Sequence, residues 1–297
     1  MRCWKWRQLI LLVFTAGLIT GCANLQAIQD FSVGTSDFAN SYDRVYPGTY
    51  DTCLTSAEIR NVIIELGETP SRAPLTQLED DKGMCAPYKP TTKAFSESAK
   101  ALYDYSQALE LVAQQNQSPS FRKTPFIPRF QGIDPNIVDT VPELGNSKKQ
   151  VELVNQWEPY FKTFFAQKTP QEVILETGPY VDATLELLTE FSNIYQIQLD
   201  DYERNITVLD RVIEDTGSSD VIKRTFVINN SRDKDSRQEL LKNYNQALIS
   251  VIESQKRLFQ RSELDSPHYS DPIFQQDMQE FLINISNLVQ QSKLIAE

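Results

Sequence analysis

The sequence predicts a mostly α-helical protein, an elongated antiparallel bundle with long Pro-rich loops. Three observations predict it. Apolar residues recur at alternating steps of three and four along most of the chain, which is the period of a helix with one buried face. The longest such run goes from Val181 to Ile213, 32 steps or about 48 Å of helix. Prolines collect in two stretches, 68–94 and 117–146, between the patterned segments.

In chain order, Ile28, Phe31, Phe38, Tyr42 and Val45 mark a first helix over 25–45, with Thr35 in the gap and Pro47-Gly48 as its stop. Thr55-Ser56-Ala57-Glu58 has the pattern of a capping box and predicts a short second helix with Ile59, Val62, Ile63 and Leu66 inward. Gly67 and Pro70 end it. A third helix is predicted from Thr92 to Gln115, burying Phe95, Ala99, Leu102, Leu109 and Val112.

Residues 117–146 hold five prolines interleaved with Phe121, Phe126, Ile127, Phe130 and Ile133. A disordered linker has fewer large apolar residues. The expectation is an extended segment lying against the helices, and the place where the bundle could divide. It is also the candidate partner-binding surface, through Phe121, Phe126, Ile127 and Phe130, because loops on a rigid frame commonly carry recognition. Packing without any partner is the competing account.

Ser147 to Gln167 reads as an aromatic-rich helix kinked at Pro159. Thr169-Pro170-Gln171-Glu172 starts the next with a capping box and a proline in the first turn, and Gly178-Pro179 is expected to interrupt it. In the long run that follows, Leu187, Phe191, Ile194, Val208 and Val212 form a second apolar row, which suits a bundle interior better than a two-stranded seam. Thr216-Gly217-Ser218-Ser219 breaks the chain. Val221–Ile228 fits helix or strand. Ser236-Arg237-Gln238-Glu239 is expected to cap a new helix, Ser266–Tyr269 to turn, and Asp271-Pro272 to begin the last helix. No internal repeat is evident.

The N-terminus has a different character. Arg2, Lys5 and Arg7 precede an apolar centre from Leu9 to Ile19, and the small residues Thr20 and Gly21 precede Cys22. This is the order of a secretory signal. The apolar centre would reach only about 16 Å as a helix, against a hydrocarbon core of about 30 Å. Leu18-Ile19-Thr20-Gly21-Cys22 resembles the lipobox of a bacterial lipoprotein precursor. The resemblance is confined to this signal and implies nothing about the body of the protein. It implies that Cys22 takes a diacylglyceryl group, that cleavage after Gly21 separates a signal peptide (1–21) from the mature chain (22–297), and that the freed amine is acylated, with palmitate a typical chain. Two or more acyl chains anchor a protein stably where one does not. Ala23 stands where that family places Asp for inner-membrane retention. This implies an outer-membrane lipoprotein facing the periplasm. The competing account is an uncleaved signal anchor from about Leu9 to Ile28, which Gly17, Thr20, Gly21, Asn24 and Gln26 weaken.

The chain has 297 residues and a net charge of −11; loss of three basic residues and no acid with the signal would leave −14. That acidity and the absence of a basic stripe argue against nucleic acid as a partner. With Cys3 in the signal and Cys22 lipidated, Cys53 and Cys85 remain. In an exported chain an even pair predicts a disulfide, which would close a loop of about 30 residues and stabilise the fold by roughly 3–4 kcal/mol. Reactive or metal-binding thiols are the alternative, although no histidine stands near to complete a zinc pattern.

His268 is the only histidine, set in a Ser-Pro-His-Tyr turn. There is no GxSxG, no phosphate-binding glycine loop and no HExxH. Asp233-Lys234-Asp235 starts like a calcium loop, but Arg237 and Gln238 stand where a ligand and the glycine belong. The pairs Asp80-Asp81 and Asp200-Asp201 read as solvated faces. The expectation is therefore no catalytic residue, no metal and no cofactor. Two functions stay open: a lipid-anchored structural or protein-interaction module, or a lipoprotein that binds a ligand in an aromatic-lined pocket between helices, with the aromatic helix at 151–165 as one wall.

Overall fold

A computed structural model describes residues 25–41, 48–67, 82–117, 126–157, 168–215, 221–265 and 267–296, and among them every regular element is helical. The helices are α1 (25–40), α2 (Thr49–Gly67), α3 (Thr91–Gln117), the single turn α4 (Ile137–Thr140), α5 (Lys148–Asn155), α6 (Pro170–Asp215), α7 (Val221–Ser262) and α8 (Pro272–Ala296); a further helical turn at 82–85 runs into a 3-10 turn at Ala86–Tyr88, within the Pro-rich stretch 68–94. The bundle is organised around α6, whose 46 residues span about 69 Å. It packs against α2, α3, α5 and α7, and α8 packs along α7.

The two apolar rows of α6 account for that central position. Val181, Leu185, Leu188, Tyr195, Leu199, Tyr202 and Leu209 are buried, and so are Leu187, Phe191 and Ile194 of the second row, whereas Val208 is exposed and Val212 half-buried. A face this wide needs more than one neighbour to cover it. One hydrophobic cluster runs from Ala27 to Ile285 and takes in residues on both sides of the Pro-rich stretch.

α6 and α7 form an antiparallel hairpin. Gln171 donates to the carbonyl of Ser262 at 2.8 Å near one end, Ser192 bonds Asn245 midway, and Tyr202 donates to Asn230 Oδ1 at 2.9 Å farther along. α1 lies in the groove between α3, α7 and α8. Phe31 stacks on Phe281 with ring centroids 5.7 Å apart and meets Tyr105 edge-on, while Phe38 packs on Tyr244. Gly34 lets α1 approach α8 closely: a β-carbon there would stand 2.6 Å from the Phe281 ring.

Several predicted boundaries hold. α3 and α8 begin within a residue of expectation. Glu172 and Thr169 form the predicted capping box at α6, with Thr169 N donating to the Glu172 carboxylate at 2.7 Å. Asp271 caps α8, accepting from the backbone of Ile273 at 2.9 Å.

Three boundaries are corrected. First, α2 starts at Thr49, just after Gly48 at φ +106°, and Thr55 lies inside it, donating its hydroxyl back to the Asp51 carbonyl at 2.9 Å. Second, Gly178-Pro179 does not interrupt α6. Pro179 is on the exposed face, where water can serve the carbonyl that the missing N–H leaves free. Gly178 is buried against α7; a β-carbon there would stand 2.4 Å from the Phe259 ring. Third, Ser236 does not begin a helix, because α7 runs unbroken from Val221 and settles 221–228 as helical. The Pro159 kink, the 216–219 break and the ends of the first helix at Tyr42 and Val45 lie outside the described residues.

Candidate functional site

The Pro-rich stretch becomes an extended strap over 126–134, followed by α4 and a short 3-10 turn at Pro142–Leu144. α3 and α5 hold it through its main chain. Glu97 and Asp104 are seven residues apart on α3, two turns along one face, and both are buried. Asp104 Oδ2 accepts the N–H groups of Arg129 at 2.7 Å and Phe130 at 2.8 Å. Glu97 Oε2 accepts the N–H of Gln131 at 2.8 Å. From α5, Asn155 accepts the Ile133 N–H at 2.7 Å and donates to its carbonyl at 2.8 Å. Gly132 sits between these anchors at φ +99°, a conformation that favours glycine.

Arg129 closes the strap from outside. Its guanidinium lies 3.9 Å from the centre of the Tyr103 ring, and it donates to the Tyr103 hydroxyl at 3.0 Å and to Asn40 of α1 at 3.3 Å. Burial raises the Asp104 carboxyl to about 6, with the Glu97 charge adding to the rise; the two donated N–H groups and the Arg129 charge oppose it.

The predicted partner-binding residues divide. Ile127 is 81% exposed and Phe130 only 3%. Phe126 is half-buried and packs against the core, and Phe121 lies outside the described residues. The strap therefore presents Ile127, with Arg129 and Gln131 also exposed, while Phe130 and Ile133 face inward. The four-residue apolar surface expected from sequence is reduced to a single prominent apolar side chain among the described residues.

The described end of the predicted aromatic wall is filled. Trp157 is buried between Tyr105 and Tyr180, at centroid separations of 5.8 and 5.6 Å, and its indole N–H donates to Thr184 at 3.2 Å. Tyr105 donates to Gln255 of α7 at 3.3 Å, and burial pushes its hydroxyl pKa up. Residues 158–165 of the predicted wall lie outside the described residues. Hollows occur at the surface, one between α6 and α7 at Ile213, Val227 and Ile228, one between α1 and α8 at Asp37 and Lys293, and one at the α7–α8 turn.

Cys53 of α2 and Cys85 form a disulfide with Cα atoms 5.7 Å apart. Cys22 and the whole signal lie outside the described residues, as do Asp80 and Asp81. Asp201 ties α6 to α2, accepting from Ser56 at 2.6 Å and Arg60 at 2.7 Å, while Asp200 is exposed. Asp233 pairs with Arg237 one turn on at 2.8 Å. His268 is exposed in the α7–α8 turn. Among the described residues no cluster of His, Cys, Asp and Glu could hold a metal ion, and no helix is long and apolar enough to cross a membrane.

The chain matches no protein-family model, no curated protein and no solved structure.

Proposed function

We propose that the chain is a bacterial envelope lipoprotein, anchored through a lipidated Cys22 in the outer membrane and facing the periplasm, whose helical bundle is a structural or protein-interaction module. The observation that carries the reading is the Leu18–Cys22 stretch behind a basic and then apolar leader. What favours contact over capture of a ligand is the use of the aromatics. Tyr105, Trp157, Phe95, Phe191 and Tyr244 spend their faces on one another inside the bundle. The work assigned to the protein is to present surface at a set distance from a bilayer, with a protein partner in the envelope and no cofactor or bond-making step.

Mass spectrometry of the wild-type protein from its own membranes should find acyl chains on Cys22 at the mature N-terminus. Cys22→Ala should leave a longer, unlipidated precursor; an unmodified Cys22 in wild-type membranes overturns the anchor. Contact through the strap has its own test. Ile127→Asp should abolish cross-linking to the partner while stability changes by no more than about 0.5 kcal/mol. Phe130→Ala should instead destabilise the bundle by about 3–5 kcal/mol, because it empties a core site.

A further inference from the structure

The register between α1 and α8 fixes which end of the bundle faces the anchor. Gly34 meets Phe281, and farther along Asp37, Asn40 and Ser41 share a hollow with Val289, Ser292 and Lys293. Residue numbers rise together, so the two helices are parallel. Leu25 is nine residues before Gly34 and Pro272 nine before Phe281, so the two helices begin at the same level. The α7–α8 turn therefore lies beside the start of α1. Only Ala23 and Asn24 separate Leu25 from Cys22, a reach of at most about 11 Å for three extended steps.

Two large apolar side chains project at this end. Ile273 is 74% exposed and Leu264 48%, and both line the hollow at the turn. The cations around them are paired: Arg261 with Asp271 and Arg257 with Asp277, each at 3.0 Å. The arginines thus offset two of the acids at this end of an acidic chain. Glu263 and Asp265 are exposed on the same turn and would hold any contact at headgroup depth.

We infer that the α7–α8 turn, through Leu264 and Ile273, docks on the surface of the lipid bilayer that holds Cys22, so that the α6–α7 hairpin points away from the membrane. The inference rests on the lipid-anchor reading. Its occupant is set by distance: a lipid within about 11 Å of Leu25 brings the bilayer to this end of the bundle. Apolar side chains entering the interface then add to the hold of the acyl chains.

The test uses the full lipidated chain in vesicles of phosphatidylethanolamine and phosphatidylglycerol. Leu264→Cys, Ile273→Cys and, near the far end of the hairpin, Ile228→Cys each carry an environment-sensitive fluorophore. A count of one free thiol per chain confirms that Cys53 and Cys85 stay paired. The probes at 264 and 273 should shift to the blue and be quenched by lipids carrying a quencher at headgroup depth. The probe at 228 should do neither. Probes at 264 and 273 that stay unquenched on a chain whose Cys22 is lipidated overturn the docking alone. A native chain without lipid on Cys22 overturns the anchor reading and the docking with it.

Discussion

Asp104 is the residue on which the strap depends, and its position is unfavourable for a charge. Burial opposes ionisation, yet the carboxylate is the acceptor for two backbone N–H groups. Its pKa is pushed up to about 6 in the fold, well above the ordinary range of an aspartate, so the folded state holds the proton more tightly. The stability this contributes is fully present below the unfolded value and is lost as pH rises through about 6. A rise of this size corresponds to about 3 kcal/mol as an upper figure. Asp104→Asn keeps an acceptor and removes the titration. In urea melts, wild type should gain on Asp104→Asn by about 2 kcal/mol between pH 7.5 and pH 4.5; parallel curves would show that Asp104 does not titrate in that window. None of this was legible in the sequence. Glu97 and Asp104 are two acids among many, and only the tertiary path of 129–131 gives them main-chain donors.

At the scale of elements, the sequence was read correctly where packing and capping act together, as at Thr169–Glu172 and Asp271-Pro272. It misled where a local signal had a tertiary answer. Gly178-Pro179 looks like a stop, but Gly178 admits Phe259 and Pro179 faces water. The capping pattern at Ser236 is idle because α7 crosses it with side-chain bonds to α6 and α2. There Lys234 and Gln238 reach Glu203 at 3.2 and 2.9 Å, and Arg237 reaches Thr52 at 2.9 Å. Between 229 and 239 α7 buries no apolar residue, so hydrophobic period carries no information about it. The seat of α1 is a sharper test of element packing. Gly34→Ala must displace the buried Phe281 from its stack on Phe31, and overpacking of this kind costs about 1–3 kcal/mol. Alanine's helix propensity returns at most about 1 kcal/mol. Thermal melts should show a net loss; a gain would mean that Phe281 moves freely. The disulfide joins α2 to the chain ahead of α3 across a separation of 32 residues. Replacing both Cys53 and Cys85 by Ser should lower stability by roughly 3–4 kcal/mol in denaturant titrations.

At the scale of the molecule, the two halves of the long hairpin are joined by different forces. Near the α7–α8 turn, α6 and α7 share an aromatic and aliphatic interior. Toward the other end, α7 is attached to α6 over 229–239 by a partly exposed ion pair, Lys234 to Glu203, and by side-chain hydrogen bonds, Gln238 to Glu203 and Tyr202 to Asn230. Apolar burial is nearly indifferent to dissolved ions, whereas exposed charge pairs are screened, over about 3 Å at roughly 1 M salt against about 10 Å at roughly 0.1 M. Ionic strength should therefore act on one end of the hairpin and spare the other. Amide hydrogen exchange should quicken across 229–239 as salt rises, with the amides of 241–258 holding their protection. Uniform protection along α7 at every salt concentration would mean that the charge contacts contribute little. If the gradient is found, the polar stretch of the hairpin has a local opening equilibrium set by the surrounding electrolyte, and one continuous helix loosens in brine over about three turns while the rest of it stays rigid.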